Sequence, residues 1–435
     1  MKCRNNNREV NVITEIEKKE KVEQEEDDIN FYLEKIYEPD LRKLLNRCYQ
    51  CVRCSGVCQL SKVQEFTPSR IVELILEGFE DKVTESGVLW DCLSCNSCMQ
   101  NCPEDINFAD VVRNAKYKMK ALYNQKADDY IAHKGIYTTI SEILSKPYIN
   151  PEKNLDWIPK ECNISDNGDL LYFVGCIPYF KFEFDEIDPI PISALKIICQ
   201  VEKEPIVVLK EEVCCGHDLY WGTGNFEAFI NLAKKNKEMF EKANVSTIIT
   251  SCAEGYRTFK VEYPKLFEDF NEKFEVKHII EYIYDNWKQG KIEFVNPKET
   301  ETQVPFTYHD PCRLSRFLPK ENNIIEKTRE ILHQLKDLGY EFKEMTHNKE
   351  NALCCGVSSW MNCNDRSKGL RYKRLSEAKE VGEIMVTSCP KCIMHLSCLQ
   401  KDYDELASIQ IKEFSEFLVD LIKVVNTNKT GEVKE

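Results

Sequence analysis

Two runs of cysteine carry the clearest chemistry in this chain. Cys48-x2-Cys51-x2-Cys54-x3-Cys58 and Cys92-x2-Cys95-x2-Cys98-x3-Cys102-Pro103 repeat a single spacing. Three thiolates on a tight loop hold three corners of an iron–sulfur cube, and the fourth of each run crosses to the other cluster. The spacing predicts two cubane [4Fe–4S] clusters, one on Cys48, Cys51, Cys54 and Cys102, the other on Cys92, Cys95, Cys98 and Cys58. Zinc sites use paired CxxC units rather than runs of four, so a zinc-scaffolded interaction protein is the weaker reading. One departure stands out: Gln59 follows Cys58, where proline is usual.

Nine further cysteines fall into two similar units. The first has Cys176, Cys214-Cys215-Gly216 and Cys252, with Gly255 where a fifth cysteine would stand. The second has Cys312, Cys354-Cys355-Gly356, Cys389 and Cys392. Five thiolates exceed what one cubane or one zinc requires, which points to a cluster with more irons or a bridging cysteine. Glycine after each cysteine pair lets the backbone turn closely around a cluster. Of the 22 cysteines, Cys3 lies in a tail, and Cys162, Cys199, Cys363 and Cys398 read as packing thiols.

The elements that must position these sulfurs show as alternating patterns. Residues 67–78 read as a helix between the two runs, with Thr67 as N-cap, Pro68 at the first position and Gly78 as the stop. Residues 110–122 read as an exit helix, and the long link between the runs suggests an all-helical ferredoxin domain. Beyond it, short β-rich runs at 170–176, 205–209, 247–252, 306–312, 340–344 and 383–389 alternate with helical stretches at 225–243, 324–338 and 370–381. That is α/β patterning with mostly parallel sheets, whose ligands collect at the carboxyl ends of strands. The expected fold is an α+β/α multi-domain chain. It has an acidic flexible arm (1–34), the helical ferredoxin domain (35–125), two repeated α/β domains (166–300 and 301–425) and a tail (426–435).

Composition narrows the function. The 435 residues are 42% hydrophobic and 30% charged, ordinary for a globular protein. A net charge of −14 argues against nucleic acid or an anionic membrane as partner. No apolar run is long enough to span a bilayer and no secretory leader is evident, so a cytoplasmic location is expected. Any membrane attachment would come through a partner. In a reducing compartment these cysteines should bind metal rather than form disulfides.

The order of parts resembles the D subunit of heterodisulfide reductase, and equally the B and C subunits of that enzyme fused in one chain. The likeness runs from about Cys48 to Leu421. It rests on the duplicated Cys…Cys-Cys-Gly…Cys-x2-Cys unit, on Tyr308-His309-Asp310-Pro311-Cys312 and on Ser388-Cys389-Pro390-Lys391-Cys392. It implies two CCG domains, the second holding a noncubane [4Fe–4S] cluster on Cys312, Cys354, Cys355, Cys389 and Cys392. There a disulfide substrate would be split. The first, on Cys176, Cys214, Cys215 and Cys252, would hold a further iron–sulfur cluster or zinc. Arg313 replaces a histidine common in the family, and Val357-Ser358-Ser359-Trp360 replaces a glycine-rich run, which leaves the substrate open.

On this reading electrons pass from the cubanes to the second CCG domain. His309 and His217 are candidate proton donors, and Arg313 and Arg316 candidate holders of an anionic substrate. The rival reading is a non-catalytic electron-transfer subunit beside a flavin-dependent 2-hydroxy acid or glycerol 3-phosphate dehydrogenase. No nucleotide-binding glycine fingerprint appears, so any flavin belongs to a partner. Expected partners are a flavoprotein or membrane cytochrome subunit and a small disulfide.

Overall fold

The architecture comes from a computed structural model that describes residues 27–61, 67–123, 131–180, 182–296, 304–319, 321–357, 359–361 and 363–425. Cys3, Ser358 and the 426–435 tail lie outside the described residues. The expected flexible arm is helical where it is described, at residues 27–36.

From Leu41 to Tyr123 the described chain forms helices and no strand. The helix Pro68–Leu76 starts with proline at its first turn, where no N–H is needed. Thr67 stands at its N-cap without capping it; its hydroxyl lies 3.4 Å from that of Ser69 instead. Ile71, Val72 and Ile75 bury one face against Leu41, Leu45 and the Val111–Val112 turn of the helix Phe108–Tyr123.

The rest of the chain holds two parallel sheets built alike. The first uses β1 (Ile164–Ser165), β2 (Leu170–Tyr172), β3 (Ile206–Val207), β4 (Thr247–Thr250) and β5 (Glu275–His278), in the order β1-β3-β2-β4-β5. β6 (Ile292–Phe294) closes that repeat. The second sheet uses β7 (Val304–His309), β8 (Tyr340–Phe342), β9 (Ile384–Thr387) and β10 (Gln410–Glu413), in the order β10-β9-β7-β8, before β11 (Ile422–Val424). Leaving aside the extra edge strand β1, the two repeats have the same strand order. Central strands read as apolar runs because both faces are covered, as at Ile248 and Ile249. The edge strands β5 and β10 carry charged residues and escape the apolar pattern.

Equivalent elements of the repeats meet each other. β6 and β11, each the last strand of its repeat, pair antiparallel about Glu293 and Lys423. Helix Pro189–Val201 packs on Phe414–Leu418, and its counterpart Ile324–Gln334 packs on Ile279–Lys288. The two repeats therefore face each other about an approximate two-fold axis, much as a homodimer would. Cysteine loops that follow β2, β4, β7 and β9 are brought to this interface.

One expectation needs correction. Cys162 and Cys199 are not packing thiols but a disulfide, with Cα atoms 5.3 Å apart. The bond ties the loop before β1 to helix Pro189–Val201, and no local spacing announces a pairing made by tertiary packing. Cys363 is exposed rather than packed.

Candidate metal centres

The two cysteine runs fold alike. Gln50 and Val52 in the first run, and Ser94 and Asn96 at the equivalent places in the second, all take positive φ. A left-handed conformation costs a non-glycine residue about 1–2 kcal/mol, and such strain gathers at ligand-binding loops. It turns amides inward: Ser94 N–H donates toward Cys92 Sγ at 3.4 Å. Amide donors to sulfur suit a cluster-bound thiolate, so the loops fit an iron–sulfur group.

Cys58 leaves the first run and lines one pocket with Cys92, Cys95 and Cys98. Burial pushes its thiol up to about 12, with Cys95 and Cys92 adding to the shift. In the other set Cys51 is exposed, and Cys48, Cys54 and Cys102 are partly exposed. The Cys54 thiol is pushed up by burial and then by Cys48 and Cys51. Cys102 follows helix Ser97–Gln100, which packs on Arg53–Val57. Of these eight cysteines only Cys51 is exposed; the other seven are half-buried.

In the second repeat Cys312, Cys354, Cys355, Cys389 and Cys392 line a single pocket, shared with Leu93, Arg313, Glu254 and Lys391. Their thiols form a chain, Cys312 to Cys354 to Cys355 to Cys392 to Cys389. Hydrogen bonds from Cys354 and Cys392 bring Cys355 down to about 6. Those from Cys252 and Cys392 hold Cys389 well below a normal thiol. The thiolate is the metal-binding form, and hydrogen bonds among close thiols favour it.

The first repeat is less complete. Cys214 is held well below the usual range by hydrogen bonds from Cys176 and Cys215. Cys252 does not join them by a hydrogen bond; its partner is Cys389 of the second repeat. Cys252 and Cys389 occupy the same place in Ser251-Cys252-Ala253-Glu254 and Ser388-Cys389-Pro390-Lys391, and so do Glu254 and Lys391. Across the axis Lys391 Nζ lies 3.1 Å from the Glu254 carboxyl and is also hydrogen-bonded to Asp218. Ligand atoms of His217, Asp218 and Glu254 lie within 4.8 Å of one another, as at a cation site. The cation there is the Lys391 ammonium.

Charge in this buried group is balanced. Burial pushes Glu254 up to about 8. Burial, then Arg313, brings His217 down to about 4. Burial also acts to raise Asp218, but Lys391 and His217 outweigh it and keep the carboxylate ionised.

Several sequence candidates take other positions. His309 does not line the pocket. Burial and Arg374 hold it well below 6.5, and its Nδ1 accepts from Arg374 Nε at 2.9 Å. His217 is likewise absent from the lining. The groups other than thiols that bring exchangeable protons to the pocket are Glu254, Lys391 and Arg313. Arg313 donates from Nη1 to the Ser94 carbonyl at 2.9 Å and lies over Phe317 at 4.3 Å. Arg316 donates from Nε to the Cys95 carbonyl at 2.6 Å, and from Nη1 to those of Glu350 and Ala352 at 3.0 and 2.9 Å. Both guanidinium groups bind backbone at the junction between the inner cysteine loop and the second repeat. Glu254 was missed in the sequence, although its place matching Lys391 was a usable signal.

Leu93 lines both the inner cysteine pocket and the five-cysteine pocket. With Arg313 and Arg316 on the same loop, the inner set abuts the second repeat.

Comparison with known proteins matches this arrangement. A 4Fe-4S dicluster domain is recognised at residues 9–106, and the Cysteine-rich domain (CCG) at residues 170–260 and again at 306–397. The chain is thus an iron–sulfur protein with a dicluster domain and two CCG domains. It is homologous to the D subunit of heterodisulfide reductase and to related iron–sulfur proteins. The D subunit of dihydromethanophenazine:CoB–CoM heterodisulfide reductase of Methanosarcina acetivorans is 26% identical, over 77% of either chain. The B subunit of fumarate reductase (CoM/CoB) of Methanothermobacter marburgensis is 25% identical, over 86% of this chain and 72% of that one. EtfAB:quinone oxidoreductase of Syntrophomonas wolfei is 25% identical, over 77% of this chain and 47% of that one. Among the described residues no helix is long and apolar enough to cross a membrane.

Proposed function

We propose that this chain is an iron–sulfur oxidoreductase subunit that reduces a small disulfide. The eight cysteines of the two runs hold cubane [4Fe–4S] clusters. Cys312, Cys354, Cys355, Cys389 and Cys392 hold a noncubane [4Fe–4S] cluster. When bound, these groups supply single electrons in series and an iron site for sulfur. One observation carries the reading: Leu93 is the shared wall between the inner cysteine pocket and the five-cysteine pocket.

The chain's own residues have definable tasks. Arg313 and Arg316 fix the inner cysteine loop to the second repeat. Leu93 keeps the partition apolar. Disulfide reduction takes two electrons and two protons and yields two thiols. Glu254 stands at the pocket wall as its carboxyl group. Partner subunits follow from the naming of the relatives as subunits, and a flavoprotein or membrane cytochrome would approach at the exposed Cys51.

Iron and sulfide counts with EPR, on anaerobic wild type and Cys392→Ala, test the cofactor content. About 8 irons mean only the cubanes, and roughly 12 to 16 mean further clusters. Cys392→Ala should lose the additional signal alone. A wild type with about 8 irons sinks the proposal.

A second reading, a carrier without its own substrate, is favoured by the engagement of Arg313 and Arg316 with backbone and by the quinone oxidoreductase among the relatives. Purified protein with all clusters and an artificial donor, but no disulfide turnover, would decide for the carrier.

A further inference from the structure

We infer that Gln59 is a positioning residue that couples the inner cubane to the metal centre of the second repeat. Its amide uses both ends on the loop carrying the second cysteine pair. Oε1 accepts the Cys354 N–H at 2.9 Å, and Nε2 donates to the Ala352 carbonyl at 3.2 Å. The residue before it, Cys58, faces Cys92, Cys95 and Cys98 in the inner pocket. Two covalently adjacent residues therefore contact the two centres. Arg316 closes the other side, since it holds the Cys95 carbonyl and the same Ala352 carbonyl.

The chain supplies its own comparison. The fourth cysteine of the second run is followed by Pro103, the ordinary residue. Proline has no side-chain amide to offer. Glutamine stands only at the run whose fourth cysteine turns toward the second repeat. In the first repeat the carbonyls of the matching loop are held by that repeat's own residues, Cys214's by Asn236 and Cys215's by Tyr263, and the Cys214 sulfur accepts from Ser141 of helix Ile136–Leu144. Gln59 thus ties the cubane block to the cysteine loop of the second repeat, whereas that block meets the first repeat away from its cysteine pair, as where Tyr117 donates to Glu227.

A hydrogen bond on the backbone of a ligand residue tunes both its placement and the potential of the metal it holds. Gln59 occupies the Cys354 N–H and fixes the loop at Ala352, so it acts through Cys354 rather than on substrate.

The inference rests on the reading that the second repeat holds an iron–sulfur centre. Full-length protein is compared anaerobically as wild type, Gln59→Leu and Gln59→Glu. EPR redox titration gives potentials, and stopped flow with dithionite gives the rate at which the second-repeat signal is reduced. Gln59→Leu should keep wild-type iron and the cubane signals. Its second-repeat potential should shift, and reduction of that signal should slow roughly tenfold, the lower end of what loss of an outer-shell partner costs a metal site in activity. Gln59→Glu, which keeps the acceptor for Cys354, should recover part of both. Unchanged potentials and rate in Gln59→Leu overturn the inference. So does loss of every cluster together in both variants, which would mark a folding residue. A wild type without the second-repeat signal defeats the underlying reading instead, so the two failures are distinguishable.

Discussion

Replacing Lys391 by methionine removes the ammonium that balances the buried group between the repeats. Lys391 is 4% exposed, contacts Asp218 and Glu254, and lies 4.9 Å from the centre of the Trp360 ring. At neutral pH Glu254, raised to about 8, holds its proton, and His217, lowered to about 4, is neutral. The group therefore contains one ammonium and one carboxylate, on Asp218. Methionine keeps most of the volume and the packing on Trp360 but removes the cation from Asp218 and leaves it, buried, with its His217 contact. Breaking a buried pair from one side costs about 3–5 kcal/mol. For a unit the size of the two repeats, that lowers the melting temperature by roughly 6–20 °C. Urea unfolding of the anaerobic holoprotein, followed by tryptophan fluorescence, reads the change. Lys391→Met/Asp218→Asn removes both charges and should recover most of the loss. A single variant within about 1 kcal/mol of wild type, or a double variant no better than the single, refutes the charge balance.

His278 caps helix Ile279–Lys288 through Nδ1, and burial lowers it to about 4. Since the unfolded chain takes the proton near 6.5, its stabilisation is complete above that pH. It is lost as pH falls from about 6.5 through 4, a span of about 3 kcal/mol. His278→Asn keeps an acceptor for the helix N–H and should flatten urea midpoints between pH 7 and pH 5; an unchanged slope would disprove the assignment. Gly356 has φ +83°, and a Cβ there would lie 2.7 Å from the Ser367 carbonyl oxygen and 2.8 Å from Arg371 Cγ. Gly356→Ala should cost about 2–4 kcal/mol in urea unfolding and deplete iron from the second repeat first. Gly369→Ala, in open helix, should instead stabilise by about 0.5–1 kcal/mol.

Much of this protein was legible along the chain because its chemistry is local. A Cys-x2-Cys-x2-Cys loop wraps a cluster with its own few residues, so its spacing alone predicts tight loops, found at Gln50, Val52, Ser94 and Asn96. Pro68 and the apolar positions of Pro68–Leu76 mark a helix by the same locality. Central strands β2, β4, β7 and β9 are legible because burial on both faces makes them apolar. Edge strands β5 and β10 are not, because their exposed sides carry charge.

What spacing leaves open is which distant residues meet. Gln59 and Cys354, Cys252 and Cys389, and Glu254 and Lys391 are joined only when the repeats fold against each other and against the helical block, and Cys162 and Cys199 only when the first repeat folds on itself. The count and grouping of sulfurs can be read along the chain, since ligand spacing is a property of a short loop. Which group each sulfur joins, and what the arginines and histidines beside them bind, depends on tertiary packing. Those contacts come from tertiary packing, between the two repeats, between a repeat and the helical block, or within one repeat, and no short segment specifies them alone.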